Sequence, residues 1–302
     1  MLTPAVVAAI EDLELAARLV VEGMRTGSHK SPLHGFTAEF SEHRPYRVGD
    51  DLKYLDWKVL ARTDRLYTRQ FRETTNMAVM LVLDTSASMG FGPGGQEPTK
   101  LRYATVLAAA LSWLIIEQGD AVGLMMMAGD GWRYLPARSS RPHLRVLLAE
   151  LARVEPAGVW QPDRVIARGA ELLSRRGVVV AISDFYDAEA ETRRELRRAM
   201  RQGHDVTMLQ VVTRPEMTFP YDGDLDLEDL ESGDHRIVSA ESVARAYRSS
   251  MGDFLERCRS GARHDGLDYA LLPTDVAPAM ALRQVLLRRS GHSGVPHETS
   301  AG

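Results

Sequence analysis

The chain has 302 residues, 44% of them hydrophobic and 26% charged, with a formal net charge of −4. Such values describe a globular protein with an ample core, and no basic excess points to nucleic acid or an acidic lipid surface. A single cysteine, Cys258, excludes an internal disulfide and any multi-cysteine metal site.

Pro4 to Met24 has apolar residues at helical spacing, among them Val7, Ile10, Leu13, Leu15 and Leu19, and predicts one amphipathic helix. Its acids and the absence of a basic start set it apart from a signal peptide. The longest apolar run, "YATVLAAALSWLII", falls short of the ~20 residues that span a bilayer. A cytoplasmic protein without a transmembrane segment is expected. A charged, aromatic stretch without sustained period follows and ends in "RLYTRQFRE", which alternates like a half-buried strand.

From Met77 strands and helices alternate. "MAVMLVLD" reads as a buried strand, and Lys100 to Glu117 as a helix capped by Thr99. "AVGLMMMA" is a second strand whose methionines are core filling rather than a redox site. The helices "RPHLRVLLAELARV" and "DRVIARGAELLSRR" precede the strand "VVVAIS". The charged helix "AEAETRRELRRAMRQG" reads as a solvated face laced with pairs one turn apart, and leads to the strand "DVTMLQVV". Beyond Pro215 lie an acidic stretch, "YDGDLDLEDLESGDH", a helix over 239–264, the strand "LDYALL", a helix over 277–289 and a polar tail expected to be disordered. This order predicts an α/β protein, a Rossmann-like parallel sheet with helices on both faces. The divisions expected are 1–76 (helix and charged block), 77–215 (sheet domain), 216–289 (an extension packed on it) and 290–302 (tail).

Two buried strands end alike, "LVLD" at Asp84 and "VAISD" at Asp184. In open parallel sheets ligands bind outside the carboxyl ends of the strands, where the strand order reverses. Ser86 and Ser88 add hydroxyls two and four residues after Asp84. An all-oxygen set of this kind suits Mg²⁺ or Mn²⁺ rather than zinc. The plainer reading is that the same residues cap the next turn. A dehalogenase-type, Mg²⁺-dependent phosphohydrolase would need a second acid two residues after Asp84, where Ser86 stands. The loop "GFGPGGQEPTK" lacks the Gly-Lys-[Ser/Thr] of a P-loop.

The Asp-x-Ser-x-Ser pattern of "DTSAS" resembles the start of the metal-ion-dependent adhesion site of von Willebrand factor A-type domains. "EFSEHRPYRVGDDLKYLDWKVLARTDRLYTRQFRE", Glu39 to Glu73, and the closing "LDYALLPTDVAPAMALRQVLLRR" resemble a bacterial domain-of-unknown-function family, number fifty-eight (DUF58). There such a block precedes a von Willebrand A-like domain. The resemblance implies a non-enzymatic, metal-dependent protein-binding module, with Asp84, Ser86 and Ser88 as the first metal loop and Asp184 as the last. It also implies a MoxR-type AAA+ ATPase, or its client, as partner. The family's middle threonine is missing: Trp160 stands about where it would be, and two readings are open, Asp163 nearby substituting as an oxygen ligand or the bulky indole blocking the site. A metal-independent interaction module is the alternative. Within the block, Arg44, Tyr46, Gly49, Asp50, Asp56, Trp57 and Arg62 read as a structural brace of paired charges and half-buried aromatics, with a recognition surface as the other reading.

Overall fold

The computed structural model describes residues 3–26, 43–45, 67–69, 77–94, 97–128, 131–186 and 188–292. Six strands form the central sheet: β3 (Ala78–Leu83), β4 (Ala121–Ala128), β5 (Gly131–Arg138), β6 (Val178–Ser183), β7 (Asp205–Val212) and β10 (Asp268–Pro273). Their order is β10-β7-β6-β3-β4-β5. Every pairing is parallel except β4 with β5. The expected doubly wound sheet is therefore present, with one antiparallel edge strand, β5, that the sequence reading missed. Its "GWRYLPAR" is largely exposed and contains proline, so no buried alternation marks it.

Alternation within each strand divides the core in two. Val79, Leu81 and Leu83 of β3 and Val178, Val180 and Ile182 of β6 face one side, while Met80, Val82, Val179 and Ala181 face the other. The methionines of β4 split likewise, Met126 to the first core and Met125 and Met127 to the second. They are packing residues.

The first face is covered by α1 (Pro4–Ala9), α2 (Leu13–Thr26), α3 (Lys100–Glu117), α4 (Arg141–Ala152) and α9 (Pro278–His292). The second is covered by α5 (Pro162–Glu171), α6 (Glu189–Arg201) and α8 (Ala240–His264). The single N-terminal helix expected over 4–24 is broken in two. Asp12 caps the second part, its Oδ1 accepting from the backbone N–H of Glu14 and Leu15 at 2.9 and 3.1 Å. The last helix continues to His292, three residues into the expected tail; 293–302 lie outside the described residues.

Around Pro215 and through the acidic stretch after it lie α7 (Arg214–Thr218) and an antiparallel hairpin of β8 (Asp224–Glu228) and β9 (His235–Ser239). Its mostly exposed strands lack the apolar alternation that would have announced them. In the charged block only β1 (His43–Pro45) and β2 (Tyr67–Arg69) are described, paired antiparallel. Arg44 lies on β1, and β2 lies within the strand expected at "RLYTRQFRE". Tyr46, Gly49, Asp50, Asp56, Trp57 and Arg62 lie outside the described residues.

Candidate functional site at the strand ends

From β3 the chain continues to β4 on one side, whereas β6 lies on the other, so the strand order reverses between β3 and β6. The crevice beyond their carboxyl ends is where open α/β sheets bind ligands. Asp84 and Asp184 are the first residues past these two strands. With Leu83 opposite Ile182, Asp84 continues the ladder, its N–H donating to the Ile182 carbonyl at 2.9 Å. That register sets Asp84 beside Ser183, whose Oγ donates to Asp84 Oδ2 in a short hydrogen bond. Asp84 Oδ1 accepts from the Ser86 N–H at 2.8 Å, and the Ser86 and Ser88 hydroxyls lie 3.0 Å apart. A 3-10 turn over Ala87–Gly90, anchored by buried Met89, carries the loop away.

Asp84 is fully buried. Burial and then the neighbouring charge of Asp184 push its carboxyl well above the usual range, to about 7, against the lowering hydrogen bonds from Ser183 and Ser86. Among the described residues Asp84 makes no ion pair. Asp184 does. Its Oδ2 lies 2.7 Å from Lys100 Nζ, while Oδ1 accepts from the Tyr186 N–H at 3.1 Å.

Lys100 is the first residue of α3 and only 1% exposed. A cation at a helix N-terminus opposes the helix dipole, so partners elsewhere must hold it there. They are Asp184 and, at 2.6 Å, Glu216 Oε1. Burial alone would lower the Lys100 pKa, but these two carboxylates outweigh it and hold it above the ordinary value. Glu216 also closes a capping box, its Oε2 accepting from Thr213 N–H and Oγ1 at 2.7 and 2.9 Å. The Tyr186 ring lies over the ammonium, 4.6 Å from its centroid. Phe185 before it is buried in the left-handed region, at φ 62. Burial first, and then nearby acids led by Glu216, raise the Tyr186 hydroxyl pKa.

The family model described as Protein of unknown function DUF58 matches residues 42–254. The chain belongs to this family. The uncharacterized protein Rv1480 of Mycobacterium tuberculosis is 34% identical to this DUF58 chain over 246 residues, 80% of this chain and 76% of the relative. Mb1516 of Mycobacterium bovis matches to the same extent. Among solved structures, an aerotolerance-related membrane protein from Bacteroides fragilis aligns over 70% of this chain and 99% of its own, at 19% identity and TM-score 0.47. BatB from Bacteroides thetaiotaomicron covers 71% and 99% at 17% identity and TM-score 0.46. The SpRpn10 VWA domain covers 74% and 99% at 14% identity and TM-score 0.38. The DUF58 chain has the expected Rossmann-like arrangement, a mostly parallel sheet with helices on both faces and the Asp-x-Ser-x-Ser loop at the end of a central strand.

Of the predicted ligands, the structure brings Asp84, Ser86 and Ser88 together and gives Asp184 a resident cation. Trp160 does not obstruct the site. It is 6% exposed, packs in the second core, and donates from Nε1 to Thr192 Oγ1 at 3.0 Å. Asp163 is exposed on the first turn of α5 and takes no part in the hydrogen bonds of the cluster. The backbone around Trp160 does support the site, since Ala157 N–H donates to Thr85 O and Ala87 N–H to Gly158 O. Lys100, Glu216 and Ser183 were missed as site residues. The signal for Lys100 was available: a lysine at position one of a helix, where acids are favoured.

Among the described residues no group of three or more histidine, cysteine or acidic side chains is placed to hold a metal ion, so a hard cation would rest on Asp84 and the two hydroxyls. Two hydroxyls stand beside the buried carboxylate of Asp84, and two further carboxylates, Asp184 and Glu216, share the Lys100 ammonium. When Asp84 is ionised the cluster keeps a net negative charge, which a cation would offset. Asp184 is held by Lys100 and the Tyr186 N–H. Among the described residues no helix is long and apolar enough to cross a membrane.

Proposed function

We propose that this DUF58 chain is a non-enzymatic protein-binding module whose contact face is the carboxyl edge of the sheet. Asp84, Ser86 and Ser88 would hold Mg²⁺ or Mn²⁺ there, and the metal would offer an open position to an acidic side chain of the partner. The observation carrying this reading is a fully buried Asp84, without an ion pair among the described residues, beside two hydroxyls 3.0 Å apart. The partner class follows from the family resemblance alone: a MoxR-type AAA+ ATPase or its client. Lys100 favours a second reading, in which its ammonium is the only cation and the module binds protein without metal. A phosphohydrolase has weaker support, because the position two residues after Asp84 is a serine.

Thermal unfolding in EDTA, Mg²⁺ or Mn²⁺ decides between the first two. Metal at ~100 times its dissociation constant adds about 2.7 kcal/mol to the native state. That corresponds to a rise of roughly 5–10 °C for a chain of this size. The expected result is such a rise in wild type and its loss in both Asp84→Ala and Ser88→Ala. A flat wild-type response at saturating metal would leave the lysine reading standing.

A further inference from the structure

A cleft of roughly 1030 Å³ opens beside the site and runs from Ser88 and Lys100 to the β8–β9 hairpin. Its floor is aromatic. Phe219 lies 4.7 Å from the Tyr247 ring and 5.2 Å from the Tyr221 ring, and Tyr186 and Phe91 line the inner end. Its outer rim is acidic, with Asp226, Glu228, Asp229, Glu231 and Asp234, against which the described residues of the rim set one arginine, Arg236, and no lysine. Between the acids the rim exposes Leu227 and Leu230, 42% and 41% accessible. Asp226 lies 3.2 Å from His235, but among the described residues Glu228 and Asp234 take part in no ion pair. The inner end already shows the chemistry, for Lys100 Nζ sits over Tyr186 between carboxylates.

We propose that this cleft takes an extended segment of a partner protein in which arginine or lysine alternates with apolar residues. The cationic groups would face the acidic rim and the aromatic faces, and the apolar groups Leu227, Leu230 and the floor. Surface acids alone would attract any cation. An apolar, aromatic floor under them selects a segment that brings both kinds of side chain. The inference is independent of any metal at Asp84, and its test is run in EDTA so that the two readings fail separately.

The test uses the whole chain and a fluorescein-labelled peptide of alternating arginine and leucine, followed by anisotropy. Controls are an arginine–glycine peptide of equal charge and a glutamate–leucine peptide. Binding of the arginine–leucine peptide is expected to weaken ~10-fold or more in Glu228→Lys/Asp234→Lys, and also in Tyr221→Ala, with thermal midpoints within a few degrees of wild type. Glu14→Lys/Glu22→Lys, the same charge change on α2, should leave it unchanged. Absence of binding, equal binding of the arginine–glycine or glutamate–leucine peptide, or equal weakening by the α2 reversal would overturn the proposal. So would concentration-dependent dimerisation abolished by Glu228→Lys/Asp234→Lys, which would make a second copy of the chain the occupant.

Discussion

Replacing Lys100 by methionine is expected to cost about 3–5 kcal/mol, because it leaves two buried carboxylates without their cation. Asp184 is 1% and Glu216 8% exposed, and each lies within 2.7 Å of the Lys100 ammonium. Methionine fills nearly the same space, so the loss is one of charge rather than volume. The thermal midpoint at pH 7.5 should fall by on the order of 10 °C. Two further measurements identify the cause. In Lys100→Met/Asp184→Asn/Glu216→Gln, with no orphan charges, most of the loss should be recovered. In Lys100→Met two buried carboxylates lack a cation and protonation relieves them, so the variant is expected to regain stability as pH falls from 7.5 to 5.5. Wild type gains nothing from this source: a lysine with a raised pKa stabilises fully below its unfolded value and loses that contribution only as pH rises through the folded one. A variant that melts within about 1 kcal/mol of wild type would show that the ammonium is dispensable.

The second large effect is at Gly177, just before β6. A Cβ built there would lie 2.2 Å from the Ala78 carbonyl oxygen, a backbone atom of the adjacent strand. The residue cannot back away. Its N–H donates to His204 Nδ1 at 3.2 Å and its carbonyl accepts from Asp205 N–H at 2.9 Å, so both sides are tied. Gly177→Ala must therefore part β3 from β6 or break these bonds, and a loss of about 3 kcal/mol in urea unfolding is expected. The same displacement would reach the site, because β6 ends at Ser183 and leads into Asp184, and these meet Asp84 and Lys100. An alanine variant as stable as wild type would mean the strands tolerate a shift that this geometry forbids.

Much of the frame was legible because buried strands and helices carry strong periodic signals. Val79 to Leu83 and Val178 to Ile182 read as buried strands, and each ends in an aspartate whose place at the switch point follows from topology. Less legible were elements whose residues are mostly exposed, β5 and the β8–β9 hairpin. There no burial imposes a pattern on the sequence. The break at Asp12 was hidden for the opposite reason, since the apolar spacing continues across it and only the capping aspartate marks the stop. Within the site, "DTSAS" could be read locally, but Lys100 and Glu216 are 116 positions apart and meet only in the folded chain. Trp160 shows the limit of alignment by motif. Its place in sequence suggested an obstruction, and its hydrogen bond to Thr192 takes it into the second core instead.

In α3 every residue but Arg102 and Glu117 is buried, as expected of a helix that is apolar all round. Its inner side meets the sheet and its outer side meets α2 and α9, while Arg102 donates to the Ile10 carbonyl and Glu117 pairs with Arg25 at 2.6 Å. The sheet unit that begins at Met77 is therefore no transferable cassette. A recombinant fragment cut there would present α3 to water as an adhesive ridge, and a chimaera borrowing the strand-end site must bring helices from both ends of the chain to cover it.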